Sequence, residues 1–173
     1  MAFQPPIIIG PSGRGQKQQL TSGGWQVITK TADESRNTST KSIDSQLQIN
    51  VAAGSKYRVR IMAFVFCSAN GVNSRVNVTG PTMSLLIGQQ YGTDNASGFS
   101  ITSPTIWTPS PHTAYPADRL QNVSANEYIY WYLDLVVIPS ASGLFGLSWA
   151  QSVNNAGQTC TVSRGSTLEY VAF

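Results

Sequence analysis

Charge is scarce in this sequence. Asp, Glu, Lys and Arg make up 11% of its 173 residues, against roughly 25% in an average soluble domain. Eleven basic residues face eight acidic ones, for a formal net charge of +3. The basic residues are scattered and never form a run of five. The clustered cationic stripe that grips nucleic acid is therefore missing, and nucleic acid is not an expected partner. Histidine occurs once, as His112, in a Pro/Ser-rich stretch. Nucleophilic catalysis needs a base beside the nucleophile, and the one imidazole falls in a loop between Pro111 and Thr113 with no recognisable constellation around it. The eight carboxylates show no pair spaced like an acid–base dyad. We expect no catalytic residue, no cofactor and no metal.

Cysteine is nearly as rare. Cys67 and Cys160 lie far apart, with no CxxC and no His/Cys cluster, so a zinc site is not expected. A disulfide framework normally uses more cysteines in a smaller chain, and both thiols are expected to be free. No apolar run approaches the ~18 residues of a membrane span, and no membrane partner is expected. Ile7-Ile8-Ile9 follows Pro5-Pro6 and is too short for a secretory core, so synthesis in a cytoplasm is the expectation. The run Gly10-Pro-Ser-Gly-Arg-Gly-Gln-Lys17 lacks the Gly-Lys-Ser/Thr ending of a phosphate loop.

Gly, Ser, Thr, Asn and Gln fill the space that charge leaves, while hydrophobic residues reach 41%. That is too apolar for disorder and enough for one folded domain. Residues 1–24, broken by three prolines and five glycines, read as an extended N-terminal arm with no helix or regular strand. Residues 25–173 read as one β domain. Alternation of period two marks strands at Trp25–Thr31, Gln46–Val51, Lys56–Ser68, Ser74–Val78, Met83–Ile87, Tyr128–Ile138, Leu144–Gln151, Gln158–Ser163 and Thr167–Phe173. Turn signals recur about every 8–12 residues. The predicted fold is all-β, an antiparallel two-sheet sandwich of the jelly-roll kind, with no helix longer than two turns. Residues 88–126 are too long for a bare connection and should hold short strands or a functional loop.

Two strands are apolar on both faces. In Lys56–Ser68, Tyr57, Val59, Ile61, Ala63, Val65 and Cys67 share one face, while Arg58 and Arg60 give way to Met62, Phe64 and Phe66 on the other. In Tyr128–Ile138 the second face carries Tyr130, Tyr132, Asp134, Val136 and Ile138. A strand facing water on one side stays polar there. Met62, Phe64, Phe66, Tyr130 and Tyr132 are accordingly the candidate interface of a homotrimer. Asp134, inside an apolar strand, needs a cation, and Arg58, Arg60 or Arg75 are the choices. In the arm, Phe3, Ile7, Ile8, Ile9, Arg14 and Lys17 are candidate contacts for a partner surface. In the long loop region, Tyr91, Trp107, His112 and Tyr115 are candidates for surface recognition.

The C-terminal strands also carry a resemblance. Phe145-Gly-Leu-Ser-Trp-Ala-Gln-Ser152, Thr159-Cys-Thr-Val162 and Arg164-Gly-Ser-Thr-Leu-Glu-Tyr170 resemble a module of tailed-bacteriophage virion proteins. Lys30-Thr-Ala-Asp-Glu-Ser-Arg-Asn37, Asp44 to Asn50 and Val51-Ala-Ala-Gly-Ser-Lys-Tyr-Arg-Val-Arg60 resemble its opening, and Asn77-Val-Thr-Gly-Pro81 its middle. The likeness covers about residues 25–173. The module is similar to jelly-roll trimers of the tumour-necrosis-factor and C1q shape, and is found in capsid decoration (cement) proteins, head fibres and tail-fibre tips. It implies a virion location, a partner in the major capsid protein or another virion protein, and no catalytic residue. It implies a cement protein on the capsid exterior or, alternatively, a receptor-binding tip whose partner is host-surface glycan.

Overall fold

The computed structural model describes residues 18–20, 24–69, 72–94, 100–101, 105–107, 119–121 and 128–173. The arm candidates Phe3, Ile7, Ile8, Ile9, Arg14 and Lys17, and the loop candidates His112 and Tyr115, lie outside them. The strands are β1 (Gln18–Leu20), β2 (Gln26–Thr29), β3 (Glu34–Arg36), β4 (Ser42–Val51), β5 (Tyr57–Cys67), β6 (Ser74–Thr79) and β7 (Met83–Asp94). They continue with β8 (Ser100–Ile101), β9 (Thr105–Trp107), β10 (Arg119–Gln121), β11 (Tyr128–Pro139), β12 (Gly143–Gln151), β13 (Cys160–Val162) and β14 (Thr167–Ala172). The described residues contain no helix, as the alternation requires.

The strands form two antiparallel sheets. The larger runs β1-β2-β14-β5-β11-β7-β8, with β9 on β7 and β13 bridging β3 to β5. The smaller runs β10-β6-β12-β4. Setting β1, β3, β7–β9 and β13 aside leaves a simple order. The first strand (β2) pairs with the last (β14), and the next inward pairs are β4 with β12, β5 with β11 and β6 with β10. A long antiparallel ribbon wound over itself gives this nesting, and it defines the jelly roll. The β7–β9 segment enters between the fourth and fifth strands of that frame and extends the large sheet beyond β11. Residues 88–126 thus begin as a sheet strand and carry three further short ones.

The inward faces make the core. Val59, Ile61, Ala63 and Val65 of β5 and Trp131, Leu133, Leu135 and Val137 of β11 have no exposed surface. They meet Leu47, Val76, Phe145, Leu147 and Trp149 of the small sheet, equally buried. Each large apolar side chain so buried contributes roughly 1.5–3 kcal/mol. Gly146 is required by packing. A Cβ there would lie 2.3 Å from the Leu47 carbonyl oxygen, where β4 and β12 lose register between Gly146 and Ser148.

Two expectations are corrected. Cys67 and Cys160 are not free thiols but form a disulfide. β13 lies antiparallel to β5 with Cys160 directly opposite Cys67, so distance in sequence is no guide to distance in the sheet. The arm is also not free of strand throughout. Its last part, β1, pairs with β2 and adds an edge strand to the large sheet, and Gly24, just before β2, takes φ +80°.

A buried ion cluster joins the sheets. β4 bulges across residues 44–47, where Ser148 pairs with Ile43 but Gly146 with Gln48. The bulge turns Asp44 inward, and its Oδ1 accepts the amides of Gln46 and Leu47, each at 3.0 Å. Lys30, just after β2, donates to both carboxylate oxygens at 2.8 and 2.9 Å. Trp149 Nε1 donates to Oδ2 at 3.0 Å. Both Lys30 and Asp44 side chains are fully buried. Glu34 extends the cluster, accepting from Lys30 at 3.2 Å, from the Ser45 amide and hydroxyl, and from Arg36. The Arg36 guanidinium lies 4.1 Å from the Trp149 ring centroid.

Burial alone would raise the Glu34 pKa, but its bonds from Ser45 and Arg36 outweigh burial and bring it down from 4.5 to about 2. A folded-state value below the unfolded one stabilises the fold above the unfolded value and loses that contribution as pH falls through the folded one. The stability Glu34 contributes should therefore disappear between about pH 4.5 and pH 2. Urea midpoints measured across this range should fall more steeply for the natural protein than for Glu34→Gln. Equal slopes would remove Glu34 from the acid response.

Candidate functional site

The outer face of the large sheet is the most distinctive surface of the described residues. Alternation puts every second side chain of β5, β11 and β14 on it, and the registers align them in rows. Phe66 stands opposite Tyr128, Phe64 opposite Tyr130, and Met62 between Tyr132 and Thr167. The next row is charged, with Glu169, Arg60, Asp134 and Gln89 side by side. Beyond it Val171, Arg58, Val136 and Ile87 align, and Ile138 stands opposite Leu85. The face is thus aromatic at one end, aliphatic at the other, and charged across its middle.

All five candidate interface residues lie here. Met62 is 37% exposed, and Phe64, Phe66, Tyr130 and Tyr132 are half-buried. Tyr128, which the sequence reading did not select, is 57% exposed and its ring centroid lies 5.4 Å from that of Phe66. The alternation that singled out Tyr130 and Tyr132 also runs through Tyr128, so the signal for it was present. The two loop candidates that fall within described strands are separated: Tyr91 pairs with Tyr132 on β7, and Trp107 pairs with Gly88 on β9.

Asp134 finds its cations as expected. Arg58 binds it in a fork, Nε to Oδ1 at 3.0 Å and Nη2 to Oδ2 at 2.8 Å, while Arg60 Nε reaches Oδ2 at 3.2 Å. Burial pushes the Asp134 pKa up, but hydrogen bonding and charge from Arg58, then Arg60, outweigh it and hold the carboxyl below its usual range. The same pairing raises the Arg58 pKa. Arg60 also lies 4.6 Å from the Trp25 ring centroid, which spreads its charge over an aromatic face. Glu169 differs from its neighbours in the row. It is half-buried yet makes no hydrogen bond or ion pair among the described residues.

Two hollows mark the face. One of about 110 Å³ is lined by Arg60, Met62, Tyr132, Thr167 and Glu169. The other, about 330 Å³ and more open, lies over Gly88 between Arg58, Asp134, Val136 and Ile87. Among the described residues no three His, Cys, Asp or Glu side chains lie close enough to hold a metal ion. The face thus presents two apolar ends separated by a charged band.

No family model and no curated protein matches the chain. Among solved structures it is similar to one titled for infectious bursal disease virus, Gx strain, at 11% identity over 97% of this chain and 45% of that one, with a TM-score of 0.21. The Gt strain of the same virus gives 14% identity, 97% and 46% coverage and a TM-score of 0.19. A mutant VP2 protein of that virus, in derived T=1 particles, gives 14%, 97%, 44% and 0.18. The chain spans less than half the length of each. TM-scores of this size do not mark a shared fold.

Proposed function

We propose that this chain is a structural protein of a tailed-phage virion, a homotrimer that decorates the outside of the capsid and cements its shell. The observation that carries the reading is the outer face of the large sheet. Met62, Phe64, Phe66, Tyr130, Tyr132 and Tyr128 form one contiguous, half-open aromatic end on a jelly-roll wall. An exposed patch of that kind is a liability for a solitary protein and an asset for one that works among its own copies. Equal numbers of opposite charges across its middle, Arg58 and Arg60 with Asp134 and Glu169, suit a copy of the same chain better than a strongly anionic partner. The motif likeness of the C-terminal strands supplies the phage context.

The mechanism is linkage. A protein that binds the assembled shell and not its parts stabilises the shell by RT ln(1 + [L]/Kd), about 4 kcal/mol per site at a concentration about 1,000-fold above Kd. Summed over a capsid, this opposes the pressure of packaged DNA. The arm, with Phe3, Ile7, Ile8, Ile9, Arg14 and Lys17, is the proposed grip on the major capsid protein. Its hold should persist in high salt, because exposed ion pairs add only about 0–1 kcal/mol each.

A receptor-binding tip is the second reading. It draws on β7–β9, an outgrowth at the sheet edge where variable recognition loops can be mounted on a rigid wall. Copy number in the purified virion separates the two. Hundreds of copies are expected for a cement protein, and about a dozen for a fibre. Particles lacking the protein should rupture at lower temperature and regain resistance when it is added back. Unchanged rupture would sink the cement reading.

A further inference from the structure

Lys30 and Asp44 are placed as reactants. Both side chains are fully buried, and Lys30 Nζ faces the two oxygens of one carboxylate at 2.8 and 2.9 Å. An atom that close to both oxygens stands about 3–3.5 Å from the carbon between them, the separation of a near-attack pair. Asp44 Oδ1 accepts the amides of Gln46 and Leu47, each at 3.0 Å. Two backbone N–H groups converging on one carboxyl oxygen have the make-up of an oxyanion hole. Trp149 Nε1 holds the other oxygen, Oδ2, at 3.0 Å. A second carboxylate, Glu34, meets the amine at 3.2 Å, and its side chain is 23% exposed, which links the buried pair to solvent. A salt bridge needs only opposite charges. An amine, a carboxyl whose oxygen is held by backbone N–H groups, and a proton acceptor on the amine are the parts of an acyl transfer.

We infer that Lys30 and Asp44 condense to an amide, an intramolecular isopeptide bond. One proton moves from Nζ to Oδ2 and leaves a neutral amine beside a neutral acid, a transfer that burial assists because it disfavours both charges. The amine lone pair attacks Cγ, and the charge that develops on Oδ1 falls on the Gln46 and Leu47 amides. Glu34 takes a second proton from Nζ and returns it to the leaving oxygen. The Cγ–Oδ2 bond breaks and Oδ2 departs as water. Nζ keeps one of its three hydrogens and two leave with the oxygen, so an ammonium and a carboxylate become one amide and one water, with nothing oxidised or reduced. Groups held in this way react at effective molarities of about 10⁵–10⁸ M, and the amide removes two charges that are costly to bury. Lys30 is bound through its backbone to Gly165 and Ser166, next to β14 of the large sheet, while Asp44 lies on β4 of the small one. The bond would staple the two sheets, whether or not the chain assembles with copies of itself.

Mass spectrometry of the natural chain, denatured and with its disulfide reduced, decides. The chain should be lighter than its sequence by one water, and proteolysis should release Lys30 and Asp44 in a single branched peptide. The full sequence mass overturns the proposal, and so does a water lost without a branched peptide, as from an aspartyl succinimide. Lys30→Met should keep the full mass of its own sequence; a water lost there too would place the condensation elsewhere. Glu34→Gln should slow the appearance of the branched peptide in freshly made protein about a hundredfold or more. An unchanged rate overturns the proton relay through Glu34.

Discussion

Asp44→Ala should destabilise the fold by about 3–5 kcal/mol, the cost of stripping one partner from a buried ion pair. For a chain of this size the melting temperature should drop by about 6–20 °C. The loss is large because Trp149 Nε1 and the amides of Gln46 and Leu47 are orphaned together, while the buried Lys30 ammonium keeps only Glu34, at 3.2 Å. Lys30→Met should cost less. It leaves Asp44 three donors and removes the ammonium that would otherwise be stranded. The double variant should cost less than the two singles summed, because the second change no longer strands a charge. Equilibrium urea unfolding of the four proteins closes the cycle. Additive losses, or single losses under about 1 kcal/mol, would show that the pair is solvated and incidental.

Removing the Cys67–Cys160 bond should cost about 4–5 kcal/mol on the chain-entropy account, since it closes a loop spanning 93 residues. Cys67→Ser with Cys160→Ser, or a mild reductant on the natural protein, should lower the urea midpoint to the same degree. Thiol titration of denatured, unreduced protein should find none. Two thiols per chain would mean that the bond is absent from the working protein. Such bonds persist outside reducing cytosol.

Most of the jelly roll was legible in the sequence because its long strands alternate cleanly. β5, β11, β12 and β14 fall within a residue or two of their expected bounds, and Asp134 pairs with the arginines whose positions share its face. What failed to show did so for identifiable reasons. Counting by twos from Leu47, Ile49 and Val51 puts Asp44 on the outer face; the bulge at 44–47 breaks the parity and brings it into the core. Lys30 and Glu34 follow Asp44 and were equally hidden. The disulfide depends on β13 continuing along the same edge of β5 that β14 occupies, which no local pattern encodes. β7 runs on to Asp94 through Gly88 and Gly92, residues that weaken a strand signal; at Gly88 a Cβ would lie 2.1 Å from the Asp134 carbonyl oxygen.

The link between β5 and β13 also has a mechanical side. Everything from β6 to β12 lies inside the covalent loop of 93 residues. Tension applied through the two ends of the chain bypasses that loop, so only the flanks can pay out. At about 3.3–3.6 Å per residue, roughly 300 Å of potential extension is withheld until the bond is cut. In the cement role proposed above, the protein would act on a swelling shell as a short, stiff tether and not as a long, compliant one. The span it withholds includes the β7–β9 outgrowth, which would keep its place on the sheet while the flanks bear the strain.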